Sequence, residues 1–157
     1  MNTFRALSIA TALAPGTAMA ALFGSLLAGT PPTDLGVRDG RLAPCPAKPN
    51  CVSSQATDDE HRIAPIAFRG SASDAIVRLA GVIAAQDGAT IVKRGDAYVY
   101  ATFTTPIMGF VDDVEFSVDP ARHVIDVRSA SRLGHSDLGV NRKRIEQLRA
   151  AFAEAGA

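Results

Sequence analysis

Two carboxylates and two guanidinium groups are spaced so that they can meet on neighbouring strands of a sheet. Strand alternation places Asp113 and Glu115 on the same face. A short turn at 120–123 would put Glu115 opposite Arg128 on the next strand. Asp113 would then lie diagonal to Arg128 and close to Arg132. Because arginine forks bind carboxylate and phosphate groups, this face is a candidate recognition surface for a small anion or a partner protein.

A simpler interpretation treats the same charges as cross-strand ion pairs on a solvated sheet. Exposed pairs of this kind add little stability and need no ligand, and the sequence by itself favours this interpretation. Tyr100 and Thr102 of the preceding strand would share the face and add a phenol and a hydroxyl group.

Asp112 is expected on the opposite face, among inward-facing apolar residues. A buried carboxylate needs polar partners. Arg142 or Arg144, at the start of the last predicted helix, could supply them. The alternative is a β-bulge that turns Asp112 outward.

An enzymatic interpretation would combine the carboxylates of the 112–115 motif with the segment 129–137, as in a hydrolase. The candidate groups of that segment are Ser129, Ser131, His135, Ser136 and Asp137. The last three are consecutive, and neighbours in sequence cannot easily form a nucleophile–base–orienter chain. Ser136 or Asp137 is better explained as a helix cap. The sequence shows no nucleophile elbow and no phosphate-binding loop, so enzymatic activity stays open and a non-catalytic role is favoured.

Composition and charge argue against several classes of partner. The 157 residues include 16 basic and 16 acidic side chains, so no net charge attracts nucleic acid. Aromatic residues make up 6% of the chain, which argues against a surface on which the bases of single-stranded nucleic acid stack. The three histidines are scattered singly, so we expect no metal site, and no motif indicates a cofactor.

The segment 1–29 is apolar, and Arg5 is its only charged residue. An A-x-A motif at 18–20 completes a pattern typical of a secretory signal with its cleavage site. The apolar run continues beyond that site, so an uncleaved membrane anchor is an equal alternative. Thr30 stands where a lipobox needs Cys, which excludes lipidation there. In both cases we expect the remaining chain in the periplasm or on the periplasmic face of the inner membrane.

Residues 30–62 are rich in Pro and Gly and have no apolar periodicity, so we predict an extended segment. They contain both cysteines of the chain, Cys45 and Cys51. In an exported protein this pair favours a disulfide that closes a short, Pro-stiffened loop. A redox-active pair would need a different spacing, and a metal site would need further ligands.

Residues 63–157 contain the periodic segments of a folded domain. The pattern predicts an edge strand around Pro65, a helix that begins at Ser71 and is closed by Gly88, and then a meander of strands. A final helix carries an apolar stripe made of Ile145, Leu148 and Phe152. We therefore predict an α+β domain: an antiparallel meander of three to five strands with two helices on one face, preceded by the extended cysteine-containing loop.

Three stretches of the chain resemble the motifs of a known family. They are LAPCPAKPNCVSS at 42–54, GFVDDVEF at 109–116 and VRSASRLGHSDLGVNRKRIE at 127–146. By these motifs the chain is similar to the family catalogued as domain of unknown function 1499, over nearly everything after residue 35. The resemblance implies an exported protein that is membrane-anchored or lipidated, often with an apolar leader and a cysteine loop. It implies no reaction, because the family is uncharacterised.

The family motifs indicate which residues to test. They contain Asn50, Asp112, Asp113, Glu115, Arg128, Ser129, Ser131, Arg132, Asp137, Asn141 and Arg142. With Tyr100, these residues form our candidate set for binding a ligand or a partner. The leading hypothesis is a non-catalytic cell-envelope protein that binds a small anionic ligand or a partner protein. A hydrolase-like enzyme and a purely structural spacer are the alternatives, and an uncleaved N-terminal segment would add the membrane as a partner.

Overall fold

The alternating segments of the sequence form the strands of one antiparallel sheet. The computed structural model describes residues 27–156. The strands of this part of the chain are β1 (Cys51–Ser53), β2 (Ile66–Ala67), β3 (Ala89–Arg94), β4 (Tyr98–Thr104), β5 (Val111–Asp119) and β6 (Val124–Ser131). Helix α1 (Ala72–Ala84) precedes β3, and helix α2 (Val140–Glu154) follows β6. The predicted α+β class is confirmed.

The strand order in the sheet is β1-β6-β5-β4-β3, and β2 also pairs with β6. Strands β3 to β6 form the predicted meander, since each pairs with the next in sequence. The edge strand predicted around Pro65 is β2. Strand β1 was not predicted; it lies in the extended segment and places Cys51 opposite Ala130 of β6. The cysteine-containing segment therefore contributes a strand to the sheet.

One face of the sheet and the two helices enclose the apolar core. Val99, Val114 and Phe116 of the strands are fully buried there, as are Leu79 of α1 and Leu148 of α2. These residues are the inward half of each strand and the apolar stripe of each helix. The core therefore follows from the periods of 2 and 3.6 residues in the sequence.

Helix α1 begins where the sequence predicts but ends earlier. The Ser71 hydroxyl accepts the backbone N–H of Asp74 at 3.1 Å and so caps the first turn. The prediction that Gly88 closes the helix is wrong, because the helix ends at Ala84. Gly88 instead turns the chain into β3 with φ of +72°, and a Cβ there would clash with the Thr104 carbonyl oxygen. The close approach of two backbones explains this glycine.

Helix α2 is capped by a residue that precedes it. Gly139 occupies the N-cap with φ of 81° and makes no side-chain cap bond. The Asp137 carboxylate instead accepts the backbone N–H groups of Gly139 at 2.9 Å and of Asn141 at 2.8 Å. The predicted cap at Ser136 or Asp137 is thus confirmed for Asp137, whose negative charge also suits the positive end of the helix dipole.

The face of the sheet opposite the helices is covered by the extended segment. The Ala28 carbonyl accepts a hydrogen bond from the Arg132 side chain at 3.4 Å, at the end of β6. Gly36 contacts β5 in the middle of the sheet through Glu115. The segment then turns at 38–41 and returns to β1. Around β5 and β6, both faces of the sheet are therefore packed.

The predicted disulfide between Cys45 and Cys51 is confirmed, with the two Cα atoms 5.7 Å apart. It closes the loop that leads into β1. The predicted signal or anchor, residues 1–29, lies outside the described residues except for its last three. Within residues 27–156, no helix is long and apolar enough to cross a membrane.

His61 connects the disulfide loop to the segment after β1. Its Nδ1 lies 2.7 Å from the Asp58 carboxylate, and its Nε2 lies 3.1 Å from the Lys48 carbonyl oxygen. Burial opposes protonation of the imidazole, but both ring nitrogens face acceptors, and the net effect raises the pKa of His61. The imidazolium form therefore stabilises the attachment of the disulfide loop.

The raised pKa of His61 predicts a pH-dependent stability. Its contribution is complete below the unfolded pKa of about 6.5 and is lost as pH rises through the folded pKa. The hydrogen bond from the His61 backbone lowers the pKa of Asp58, so this carboxylate stays ionised while His61 titrates. We predict that His61→Gln removes part of the fall in unfolding free energy between about pH 5.5 and 8. Urea unfolding measures it, and parallel pH curves for both proteins would contradict the prediction.

Candidate functional site

Glu115 lies in the middle of the covered face and is fully buried. Its Oε1 accepts the Gly36 backbone N–H and the Tyr98 hydroxyl, both at 2.7 Å. Its Oε2 lies 3.5 Å from Nη1 of Arg128, the residue directly opposite on β6. The pairing of Glu115 with Arg128 that the sequence predicts is therefore confirmed. Burial and the hydrogen bond to Glu115 raise the pKa of Tyr98, so its hydroxyl remains a donor.

Asp113 is a second buried carboxylate on the same face. Arg132 binds it with two parallel hydrogen bonds, from Nε at 2.9 Å and from Nη2 at 2.8 Å. The Tyr100 hydroxyl donates to it at 2.6 Å. Burial and then this hydrogen bond raise the pKa of Tyr100 to about 12, and the hydrogen bonds to Asp113 raise the pKa of Arg132. We call Asp113, Glu115, Arg128 and Arg132 the acid–arginine face.

The interpretation of the acid–arginine face as solvated ion pairs is wrong. Glu115, Asp113 and Arg128 are 0%, 2% and 6% exposed. The extended segment covers them, and its Gly36 supplies one of the donors that satisfy Glu115. Residues 30–50 show no periodicity from which this packing could be predicted. Buried pairs differ from surface pairs because the loss of one partner leaves an uncompensated charge.

A second polar cluster lies on the helix side of the sheet, where α2 begins. Asp112 accepts a hydrogen bond from Nη2 of Arg144 at 2.5 Å. Arg144 also donates to the side-chain oxygen of Asn141 at 2.7 Å, and the Ser129 hydroxyl donates to the same oxygen. The Asn141 amide nitrogen donates to the Ser131 hydroxyl at 2.9 Å. We call these residues the Asn141 cluster.

Asn50 joins the Asn141 cluster to the disulfide loop. Its carbonyl accepts from the Asn141 side chain at 3.2 Å and from the Ser131 backbone at 3.0 Å. Its side-chain nitrogen donates to the Gly134 carbonyl at 3.0 Å. Its Oδ1 is buried and has no hydrogen-bond partner within the described range. Asn50 thus holds the disulfide loop against β6 and the loop that follows it.

Of the two arginines predicted to pair with Asp112, Arg144 does so and Arg142 does not. Arg142 donates instead to two backbone carbonyls of the segment 60–62. Two positions correspond to about 200° around a helix, so the two side chains face different ways. The β-bulge alternative for Asp112 is also wrong, because Asp112 pairs in regular register with Ser131.

The extended segment and the residues after β1 enclose a cleft of about 490 Å³. Its charged lining residues are Asp34, Arg38, Arg41 and Asp58. Arg41 donates to the Gln55 carbonyl at 3.1 Å, whereas the exposed Arg38 forms no ion pair with the described residues. Sequence reasoning missed both arginines, because nothing but their charge distinguishes them in an aperiodic segment.

The floor of the cleft adjoins the acid–arginine face. Gly36, which lines the cleft, donates to Glu115. Ser53, which also lines it, lies opposite Arg128 in the pairing of β1 with β6. Nε of Arg128 is buried and has no hydrogen-bond partner among residues 27–156. The buried ion pair therefore adjoins two residues that line the cleft.

Most of the groups considered for catalysis are engaged in structural contacts, whereas His135 is exposed. Ser129 and Ser131 bond to Asn141, and Asp137 caps α2. Asp112 forms its ion pair beneath that helix. None of these residues lines the cleft described above. In the part of the chain that the structure describes, no three His, Cys, Asp or Glu side chains are grouped so that they could hold a metal ion.

The fold and its buried clusters define a class of protein: a small α+β domain with a disulfide-closed, extended segment fastened across its sheet by buried ion pairs. The chain belongs to the family described as Protein of unknown function (DUF1499), which it matches over residues 41–152. The resemblance found in the sequence motifs is thereby confirmed. None of the curated proteins matches the chain. Export and membrane attachment remain predictions.

Removing one partner of the Glu115–Arg128 pair should cost more than replacing both. Glu115→Leu leaves three donors without their acceptor, and we predict a loss of about 3–5 kcal/mol in unfolding free energy. The double variant Glu115→Leu/Arg128→Met should lose less than the sum of the single variants. Urea unfolding of the wild type, Glu115→Leu, Arg128→Met and the double variant measures the coupling. As a control, Asp59→Ala in the exposed pair with Arg62 should lose less than about 1 kcal/mol. Additive losses in the buried pair would contradict the prediction.

The Asn141 cluster gives a second stability prediction. Asn141→Ala leaves the buried Ser129 hydroxyl and the Arg144 guanidinium without a shared acceptor. We predict a loss of about 2–4 kcal/mol in unfolding free energy, because unsatisfied buried polar groups retain their desolvation cost. Gln147→Ala, at an exposed position of α2, should change the unfolding free energy by less than about 0.5 kcal/mol. Equal effects of the two changes on urea unfolding would show that the cluster adds no stability.

Proposed function

We propose that this protein is a non-catalytic cell-envelope module that binds a small anionic ligand in the cleft between the extended segment and the sheet. The observation that carries the proposal is the presence of Arg38 and Arg41 in the lining of a cleft of about 490 Å³. A cleft of this size accommodates a small organic molecule. The envelope location is supported by the apolar sequence of 1–29 and by the disulfide.

The charged groups of the cleft indicate the chemistry of its ligand. Arg38 and Arg41 provide forked donors that suit a carboxylate or a phosphate group. Arg38 has no competing ion pair in the described region, so its charge is available. Asp34 lines the same cleft, and Asp58 is engaged with His61. A ligand with an anionic group and a nearby hydroxyl or amine would therefore match both signs of charge.

The acid–arginine face supports the cleft in this proposal and does not contact the ligand. Glu115 holds Gly36 and thereby positions the segment that carries Arg38. Arg128 lies beside Ser53, a lining residue of the cleft, on the neighbouring strand. Because the extended segment covers the acid–arginine face, that face offers no open surface to a partner protein. The ligand site that we propose therefore differs from the one that the sequence suggested.

No observation favours the hydrolase alternative. It requires a carboxylate of the 112–115 motif and a nucleophile that approach each other at a cavity. The three carboxylates of that motif are instead each paired with an arginine. The spacer alternative requires Arg128→Ala and Asp113→Ala to fold normally, and the burial of both pairs argues against it.

Titration of the purified full chain with inorganic phosphate and with citrate tests the proposal. The double variant Arg38→Gln/Arg41→Gln should bind the better of the two probes at least about tenfold more weakly, because charge-assisted hydrogen bonds contribute about 1.5–3 kcal/mol each. Arg94→Gln removes an exposed arginine of β3 away from the cleft and is the matched control. Calorimetry measures the affinities.

A retained natural ligand provides a second readout. Native mass spectrometry of the wild-type protein purified from its own envelope should show a bound small molecule that Arg94→Gln keeps and Arg38→Gln/Arg41→Gln loses. Equal binding by all three proteins, in both measurements, would contradict the proposal.

A further inference from the structure

Large apolar side chains are exposed at one end of the sheet, which we call the apical end. It consists of the loop 105–110 between β4 and β5 and the loop 132–139 between β6 and α2. Ile107 is 93% exposed and Leu138 is 94% exposed. Further exposed apolar residues at this end are Met108, Leu133 and Val140. Single exposed apolar residues are common, but a group of them at one end of a domain indicates a contact surface.

The two apical loops are neighbours because of the strand order. The loop 105–110 joins β4 to β5, and the Arg132 backbone N–H donates to the Val111 carbonyl at the start of β5. The loop 132–139 therefore begins beside the end of the loop 105–110. The exposed side chains of both loops can thus contact the same surface.

The N-terminal sequence joins the domain at the apical end. Gly29 is packed so closely against Arg132 and Leu133 that a Cβ on it would lie 2.8 Å from the Arg132 Cβ. The residues before it, 6–26, include no charged side chain. An apolar sequence of this length can enter or cross a bilayer. It leads into the described chain beside the exposed loops.

The Asp and Arg side chains of the two apical loops already have protein partners. Asp137 is the one acidic residue of the two loops, and its oxygens accept the backbone N–H groups of Gly139 and Asn141. Arg132 is paired with Asp113. These groups therefore do not oppose the approach of an apolar surface, which would be costly for an unpaired charge.

We propose that the apical end rests on a lipid bilayer, with Ile107, Met108 and Leu138 inserted into its interfacial region. The bilayer is the one that the apolar N-terminal sequence enters, and the loops add apolar contacts to those of that sequence. The turn at 38–41 lies at the other end of the sheet, where Gln55 contacts both Gly40 and Asp126. Arg38 and Arg41 of the cleft therefore lie at the end of the sheet away from the membrane.

Because the chain contains no tryptophan, the fluorescence of a single tryptophan introduced into either loop reports on that loop alone. Ile107→Trp and Leu138→Trp variants of the full chain are reconstituted separately into vesicles of phosphatidylcholine and phosphatidylglycerol. Val92→Trp, at a 55% exposed position of β3, is the matched control. We expect a blue shift of the emission and strong quenching by brominated acyl chains for both loop variants, and neither effect for the control. Both substitutions fall at almost fully exposed positions, and circular dichroism verifies the fold.

Three outcomes would overturn the proposal. One is vesicle-bound protein whose loop tryptophans emit as in water and are quenched no more than Val92→Trp, since the N-terminal segment alone would then hold the protein. Another is a blue shift without quenching by brominated lipid, which would indicate a second copy or another protein on the loops. The third is the absence of any association with vesicles. None of them affects the affinity of the cleft, which the Arg38→Gln/Arg41→Gln titration measures independently.

Discussion

The carboxylate of Glu115 has no contact with water, and the attachment of the extended segment depends on how its charge is satisfied. A buried carboxylate is stable only with several polar partners. Here they come from separate parts of the chain: the Gly36 backbone, the Tyr98 hydroxyl and the Arg128 guanidinium. Detachment of the segment at Gly36 would remove a donor and expose the ion pair. We therefore regard the extended segment and the sheet as one cooperative unit, although most of the segment has no regular secondary structure.

Much of the sheet could be predicted because strand periodicity is a local property of the sequence. Alternation alone placed Glu115 and Phe116 on opposite faces, and the turn at 120–123 set the register with β6. The path of the extended segment could not be predicted, since single hydrogen bonds such as that of Gly36 to Glu115 leave no periodic pattern. The sequence also could not predict that Arg144, and not Arg142, pairs with Asp112. That pairing depends on how α2 is rotated about its own axis.

The motif residues that link this chain to its family mostly satisfy one another inside the fold. Asp112, Ser129, Ser131 and Asn141 hold α2 against the sheet, and the acid–arginine face holds the extended segment. Side chains that are free to meet another molecule lie elsewhere, in the cleft and in the apical loops. Arg38 precedes the matched region 41–152 altogether. The family motifs therefore describe a framework, and the arginines that we propose to bind a ligand lie outside these motifs.

The two ends of the sheet differ in how their charges are satisfied. Near the apical end, Asp112 and Asp113 each have a guanidinium partner within the protein, so neither depends on water for its solvation. Contact with an apolar phase would then cost these two carboxylates little, because neither would lose hydration. In the cleft, Arg38 has no such partner among the described residues and depends on solvent or a ligand. A domain of this kind can place the end whose carboxylates are paired with arginines against a membrane, while the unpaired Arg38 stays in water. The proposals for the cleft and for the apical loops depend on separate observations. The distribution of paired and unpaired charge nevertheless allows both to hold at once, with the apical loops on the membrane and Arg38 in water.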